Sequence, residues 1–196
     1  MDQAAYALFE TAIGTCAIAW TEVEDSGSAP AVIGFHLPQQ NAPLMERQIA
    51  RSFGARKSDS FPRAIAEVIN KARSHFAGRL QDFRAVAVDL RSVGQFEREV
   101  YDAARQIPAG ETRTYGEIAR SIGRPGAARD VGQALGANPI PLIIPCHRVL
   151  AANGKAGGFS APGGVTTKLK LLRIEGAAIA TIPESMSFDF DAGLER

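Results

Sequence analysis

The segment 138–150, NPIPLIIPCHRVL, constrains the fold more strongly than any other part of this 196-residue sequence. Its three prolines lack a backbone N–H and cannot continue a helix, so the helix that precedes Asn138 is predicted to end there. The second proline keeps the chain extended, and we interpret residues 142–144 as a buried strand that Pro145 ends. This strand would hold Cys146 rigidly at its end.

Cys146 has two interpretations. A cysteine that follows aliphatic residues is usually an inert part of the core. Against this, His147 offers a base, Arg148 offers positive charge that favours a thiolate, and the glycine-rich segment 153–164 can form one wall of a ligand cavity. Neighbouring side chains of a strand point to opposite faces. We therefore expect a water molecule between the thiol and His147 rather than direct contact.

Two short helices are predicted before this segment, over 114–123 and 127–138, joined by a glycine-containing turn. The pattern is typical of a helix-turn-helix, but also of an ordinary helical hairpin. The second helix consists mostly of alanine and glycine, with Arg129 as its one long cation. Such a surface suits close, sequence-independent contact with a narrow groove better than base reading, which needs several long polar side chains. Packing against another helix is the alternative.

The part of the chain before residue 92 has a different pattern, in which strands alternate with helices. Strand-like stretches cover 5–20, 31–37 and 82–90, and helical periodicity covers 42–53 and 61–78. After residue 92, helices dominate, including one that starts near 94 and stops at Pro108 and Gly110, and a last one over 165–176 that packs through Val165, Leu169 and Leu172. We therefore predict an α/β domain at 1–91, a mostly helical domain at 92–178 and an acidic tail at 179–196.

Charge and cysteine content limit the classes of function. Residues 92–178 carry 11 basic and 7 acidic side chains, whereas residues 1–91 carry 10 of each. This net +4 permits an anionic partner such as DNA but is too modest to prove one. Two cysteines and three scattered histidines offer no closely spaced metal motif, and the cysteine signature of papain-like proteases is absent. Without a basic leader or a long apolar stretch, we expect a soluble, cytoplasmic protein with no metal and no membrane contact.

Four motifs match a known family in order and spacing: IPAGETRTYGEIA at 107–119, ARDVGQALGANPIPLIIPCHRV at 128–149, GGF at 157–159 and LLRIEG at 171–176. With them, the region from Gly94 to Gly176 closely resembles the C-terminal domain of the 6-O-alkylguanine-DNA alkyltransferases, the methylated-DNA–protein-cysteine methyltransferases. The resemblance implies a ribonuclease-H-like α/β domain followed by a mostly α domain with a winged-helix-like helix-turn-helix. It also implies a monomer that binds double-stranded DNA through the minor groove, largely independently of sequence, and needs no cofactor.

The implied activity is direct-reversal repair, in which one methyl or larger alkyl group passes irreversibly from 6-O-alkylguanine to Cys146. The alkylated base is flipped out of the duplex, and 4-O-alkylthymine is a second candidate substrate. The resemblance makes His147 the water-bridged base and Glu175 the group that orients it. Tyr115 would crowd the target phosphate and donate a proton to the departing base.

The resemblance also implies roles in DNA contact and in the pocket. Arg129 would fill the space that the extruded guanine leaves, and Asn138 would tie the turn between the second helix and the cysteine. Phe159 falls where many members have tyrosine. The predicted DNA contacts are Thr114, Tyr115, Ala127, Ala128, Arg129 and Gly132, and the predicted pocket residues are Arg148, Val149, Phe159 and Ser160.

Two other classes of function remain open at this point. An alkyltransferase-like protein binds the lesion without turnover, but such proteins replace the acceptor cysteine, which this chain keeps. A helix-turn-helix regulator would bind one sequence, and the small-residue helix does not favour that.

Overall fold

A computed structural model describes residues 4–22, 29–152 and 154–178 of the chain. Within them, a four-stranded sheet has the order β3-β2-β1-β4. Strands β1 and β2 are antiparallel, and the short β4 pairs parallel with β1. The strands are β1 (Ala4–Thr11), β2 (Gly14–Thr21), β3 (Val32–His36) and β4 (Arg56–Lys57). The stretch predicted as strand-like over 5–20 is thus a hairpin, and Gly14 enters its second strand at a φ of 120°, a conformation that glycine adopts readily.

Helices cover both faces of this sheet. Helix α1 (Ala42–Phe53) is capped by Asn41, whose side chain accepts from the Leu44 N–H, and it buries Met45 and Ile49. These two side chains form a small core with Tyr6, Ala17 and Ala19 of the sheet. Helix α2 (Arg63–Phe76) packs its apolar stripe against the opposite face, where the main core lies. Both helices follow the predicted periodicity.

The strand predicted over 82–90 does not form, and only Val88 makes an isolated bridge with Val32. The side chains of Asp82 and Asp89 instead accept hydrogen bonds from backbone N–H groups two residues on. Such local bonds offer the backbone an alternative to a sheet ladder, which explains why the prediction was wrong.

The later part of the described chain is mostly helical. Its helices are α3 (Gln95–Arg105), α4 (Tyr115–Ser121), α5 (Ala128–Gly136) and α6 (Gly164–Ile174), and a parallel pair of short strands is formed by β5 (Arg113–Thr114) and β6 (Val149–Leu150). The predicted helix pair α4–α5 is confirmed, and Val131 and Leu135 of α5 are buried. In α6, Val165 is 39% exposed, so its predicted core position is wrong; Lys168 is buried instead.

The buried strand predicted over 142–144 is also wrong. The residues are buried, but Leu142 has a φ of 76°, and the chain turns there before Cys146 opens a short 3-10 helix, Cys146–Arg148. Asn138 closes this turn, since its Oδ1 accepts from the Ile140 N–H at 2.9 Å and its Nδ2 donates to the Ile144 carbonyl at 2.8 Å. Side-chain bonds therefore replace the ladder that a strand would need.

One buried cluster contains residues from both predicted domains, for example Phe35, Phe83, Tyr101 and Ile143. The backbone N–H of Phe35 also donates to the Pro139 carbonyl at 3.0 Å. The acidic tail predicted at 179–196 lies outside the described residues. In the part of the chain that is described, no helix is long and apolar enough to cross a membrane.

Candidate active site

Cys146 lies at the first position of the 3-10 turn, and its side chain is almost fully buried at 7% exposure. Burial raises the pKa of the Cys146 thiol, while a hydrogen bond from Asn138 and the nearby charge of Lys168 oppose the rise. The thiol is therefore protonated at neutral pH and needs a base before it can act as a nucleophile.

His147 has the geometry of such a base. Its Nε2 lies 3.0 Å from Oε1 of Glu175. Burial would raise the pKa of Glu175, but hydrogen bonds from His147, His75 and Arg148 hold that pKa well below its usual range. An ionised carboxylate only accepts, so Nε2 carries the proton and Nδ1 holds the free lone pair. Burial also lowers the pKa of His147, which keeps the ring neutral at pH 7.

The lone pair of His147 Nδ1 has no hydrogen-bond partner among the described protein atoms, although the atom is buried. Buried polar atoms are nearly always satisfied in folded proteins. A buried acceptor of this kind, on the residue adjacent to Cys146, is available to receive a proton.

Arg148 does not lie where it was expected. Its Nε and one terminal nitrogen donate to the two oxygens of Glu175 at 2.9 and 2.7 Å, and its other terminal nitrogen donates to the Ile107 carbonyl at 2.6 Å. The side chain is buried and does not line either of the cavities that reach Cys146. Arg148 therefore compensates the charge of Glu175 rather than forming a wall of the cavities that reach Cys146.

A cavity opens between α5 and the glycine-rich segment, and Cys146 forms part of its wall. Its lining residues are Tyr115, Ala128, Arg129, Gly132, Leu135, Gly136, Cys146, Gly158, Phe159 and Ser160. A second cavity shares Cys146, Phe159 and Ser160 with the first and extends to His36 and Phe53 of the N-terminal half. Tyr115, Arg129 and Cys146 thus line one cavity.

Thr114, Ala127 and Val149 are not among the residues that line this cavity, whereas Ser160 is part of its wall. Thr114 is the N-cap of α4 and forms a capping box with Glu117. Ala127 precedes α5, and the Val149 carbonyl accepts from Lys168 Nζ at 2.6 Å. Ser160 donates to the Gly136 carbonyl at 2.6 Å and so ties the glycine-rich segment to the end of α5.

Lys168 and His75 are two site residues that sequence reasoning missed. Lys168 has no exposed surface, and its Nζ lies 5.7 Å from the centre of the Tyr115 ring. Burial lowers the pKa of Lys168 to about 8, and the negative charge of an ionised Cys146 opposes this. Its position on the apolar face of α6, next to Leu169 and Leu172, was the signal available in the sequence. His75 carried no such signal, because it lies 100 residues from Glu175.

Tyr115 is held closely by glycine. A Cβ at Gly157 would lie 3.1 Å from the Tyr115 hydroxyl, and Gly157 has a φ of 66°. We expect Gly157→Ala to lose about 1–2 kcal/mol of unfolding free energy from the left-handed backbone, and to slow the alkyl transfer that the motif resemblance implies, because Tyr115 must move. Gly123→Ala is the matched control, since Gly123 has a φ of 72° and no neighbour within 4 Å of the added carbon. Thermal stability should fall by a similar amount in both variants, whereas transfer rates that also fall equally would contradict the role of this contact.

Comparison with known proteins identifies the class. Residues 95–177 match the family model described as 6-O-methylguanine DNA methyltransferase, DNA binding domain. A methylated-DNA–protein-cysteine methyltransferase of Mycolicibacterium paratuberculosis is 49% identical over 114 residues, which are 58% of this chain and 67% of the relative. Together with the buried thiol and the helix pair, these matches place the chain in the class of methylated-DNA–protein-cysteine methyltransferases.

The solved structures agree over nearly the whole chain. Mycobacterium tuberculosis O6-methylguanine methyltransferase is 35% identical, with a TM-score of 0.68 over 91% of this chain and 97% of its own. A structure of Mycobacterium tuberculosis OGT in complex with DNA has the same TM-score and identity over 88% of this chain and 92% of its own. The chain belongs to the 6-O-methylguanine DNA methyltransferase family, and the resemblance seen in its motifs is confirmed.

Proposed function

We propose that this protein repairs DNA by direct reversal, transferring a methyl or larger alkyl group from 6-O-alkylguanine irreversibly to Cys146. Family membership supports the reaction. The observation that carries the assignment of the acceptor is the buried thiol in the cavity wall, with a neutral imidazole as its neighbour. The substrate is an alkylated base in DNA, and 4-O-alkylthymine is the second candidate.

The proposed chemistry is a single displacement. His147 Nδ1 takes the thiol proton through a water molecule, and the thiolate attacks the alkyl carbon. The S–C bond forms as the C–O bond breaks, and the electron pair of that bond stays on the guanine oxygen. Tyr115 supplies a proton to the departing base. The product is a thioether without a carbonyl that water can attack, so each chain reacts once and no diffusible cofactor is consumed.

Access to the base requires that it leave the duplex, at a cost of a few kcal/mol. The cavity between α5 and Phe159 is the proposed receptor for the extruded base, and Val149 and Ser160 would provide backbone groups there. Helix α5 would lie in the minor groove, where Ala128 and Gly132 permit close approach and Arg129 occupies the vacated space. Thr114 and Ala127 would contact the DNA at the edges of the helix pair.

The finer description of the fold and of the working unit is part of the same proposal. We assign residues 1–91 to a ribonuclease-H-like domain and residues 92–178 to a domain with a winged-helix-like helix-turn-helix. The observed sheet with helices on both faces and the α4–α5 pair support these assignments. The protein would act as a cytoplasmic monomer, because a repair site on one chain needs no second copy.

The direct test is mass spectrometry of the intact protein after incubation with a duplex oligonucleotide that carries one 6-O-methylguanine. The protein should gain the mass of one CH₂ unit, once per chain, and peptide mapping should place it on Cys146. A lesion-binding protein would show tight binding without a mass change, and a regulator would prefer one DNA sequence with or without the lesion.

Arg129 offers a separate prediction about base extrusion. Its side chain is exposed and lines the cavity at the start of α5. We expect Arg129→Ala to slow repair of duplex DNA about tenfold or more, because the flipped state loses its stabilising wedge, while the reaction with free 6-O-methylguanine changes little. Arg63→Ala removes another exposed arginine, one of α2 whose side chain pairs with Glu67, and should leave both rates unchanged. If Arg129→Ala slowed the reactions with duplex DNA and with free 6-O-methylguanine equally, the proposed role of Arg129 in base extrusion would be contradicted.

A further inference from the structure

His75 belongs to the N-terminal half of the chain but contacts Glu175 of the active site, 100 residues later. It lies in the last turn of α2, is 1% exposed, and its Nε2 is 2.9 Å from Oε1 of Glu175. The rings of Phe76 and Phe83 flank it edge-on at 6.0 and 5.5 Å. A polar side chain from the N-terminal half is thus packed firmly against the group that orients His147.

The hydrogen bonds of His75 define its protonation. The backbone N–H of Gln81 donates to Nδ1 at 3.1 Å, so Nδ1 cannot itself carry a proton while this bond exists. The proton of the neutral ring must then lie on Nε2. His75 therefore donates one hydrogen bond to the Glu175 carboxylate and is not a cationic partner.

Oε1 of Glu175 is shared among three donors. His75 Nε2, His147 Nε2 and an Arg148 nitrogen lie 2.9, 3.0 and 2.7 Å from it. A carboxylate oxygen has two lone pairs, so three donors compete for its charge. The hydrogen bond from His75 consequently offsets part of the negative charge on Oε1 that would otherwise stabilise a protonated His147.

We propose that His75 is a positioning residue for the alkyl-transfer reaction, which fixes the Glu175 carboxylate from α2 and limits the charge that it presents to His147. The inference rests on the proposed function, in which Cys146 is the acceptor and His147 its base. If His75 has this role, the N-terminal half does more than support the fold, because its contact with Glu175 at the end of α6 affects the basicity of His147.

The consequence for pH dependence can be derived from the groups around Glu175. His75 faces it from α2, His147 and Arg148 face it from the 3-10 turn, and the Gly110 N–H lies 3.5 Å from Oε2. Arg148 and Gly110 stay in place when His75 loses its donor. His147 then binds Oε1 with one competitor fewer, and its protonated form becomes more stable. Because a base must be neutral to accept a proton, the acidic limb of the rate profile moves to higher pH.

The experiment compares transfer rates from a methylated duplex oligonucleotide between about pH 5 and about pH 8. His75→Phe removes the donor and keeps an aromatic ring. We expect the midpoint of the acidic limb of its rate profile to move to higher pH by about half a unit or more, with a lower maximum rate. His75→Gln keeps an N–H near the position of Nε2 and should restore the wild-type limb. Ile65→Val is the packing control, since it removes buried apolar volume from α2 ten residues before His75, and should lower thermal stability without moving the limb.

An unchanged limb in His75→Phe, or the same displaced limb in all three variants, would overturn the inference. Should His75→Phe fail to fold, nitrogen NMR of the wild-type protein tests the inference instead. We expect a neutral His75 ring with its proton on Nε2. A proton on Nδ1, or on both nitrogens, would contradict the inference. These results are separate from failure of the proposed function, which would appear as wild-type protein that acquires no methyl group on Cys146.

Discussion

Replacing Cys146 by serine is expected to abolish methyl transfer, by about a thousandfold or more, while leaving the fold intact. A serine hydroxyl is far less acidic and less polarisable than a thiol, so the same base cannot generate an effective nucleophile. The exchange is close to isosteric, and the Asn138 side chain still closes the turn that positions residue 146. Transfer of labelled methyl from a duplex oligonucleotide measures the loss.

The chain provides its own control for this experiment. Cys16, on β2, is fully buried in the core, and burial raises the pKa of its thiol to about 12. The Cys16 thiolate is therefore negligible at neutral pH, and Cys16→Ser should retain full transfer. If labelled methyl still appeared on Cys146→Ser, or no longer appeared on Cys16→Ser, the assignment of Cys146 as the acceptor would be wrong.

The residues that could be predicted from the sequence are those held close together by local chain geometry. Cys146 and His147 are neighbours, and Asn138 closes a turn of a few residues, so short motifs identify them. Helices α2 and α5 followed from apolar periodicity, because that periodicity reflects burial on one face.

The errors arose where side chains redirect the backbone or where contacts are distant. The turn at Leu142 and the missing strand at 82–90 both depend on side-chain hydrogen bonds to the backbone, which hydrophobic patterns do not reveal. Arg148 was expected to be a cation for the thiolate, but its nitrogens donate to Glu175 and to the Ile107 carbonyl. His75 meets Glu175 only after the two halves pack together, and no local pattern encodes a contact between residues so far apart.

The charged cluster around Glu175 contributes to stability as well as to reactivity. Glu175 is buried and accepts from Arg148 through both oxygens. Breaking a buried pair by removing one partner leaves an uncompensated charge and typically costs about 3–5 kcal/mol. We expect Glu175→Gln to lose an amount of this order in urea unfolding, and also to lose transfer, because His147 no longer has a carboxylate to orient it.

The loss should depend on pH in a defined direction. Hydrogen bonds hold the pKa of Glu175 in the folded state well below its usual 4.5, so the stabilising contribution is complete above that value and is lost as the pH falls below it. The difference between wild type and Glu175→Gln should therefore be constant near neutral pH and shrink in acid. Wild-type protein alone will also lose stability there as other carboxylates titrate, so the difference is the informative quantity.

Two controls separate the buried pair from an ordinary loss of charge. Glu67→Gln breaks the exposed pair with Arg63 and should change stability by about 0.5 kcal/mol or less. The double variant Glu175→Gln with Arg148→Met removes both members of the buried pair, and should recover part of the stability that Glu175→Gln loses, without recovering transfer. A loss in Glu175→Gln no larger than in Glu67→Gln would mean that the cluster is solvated, and that His147 is oriented by some other group.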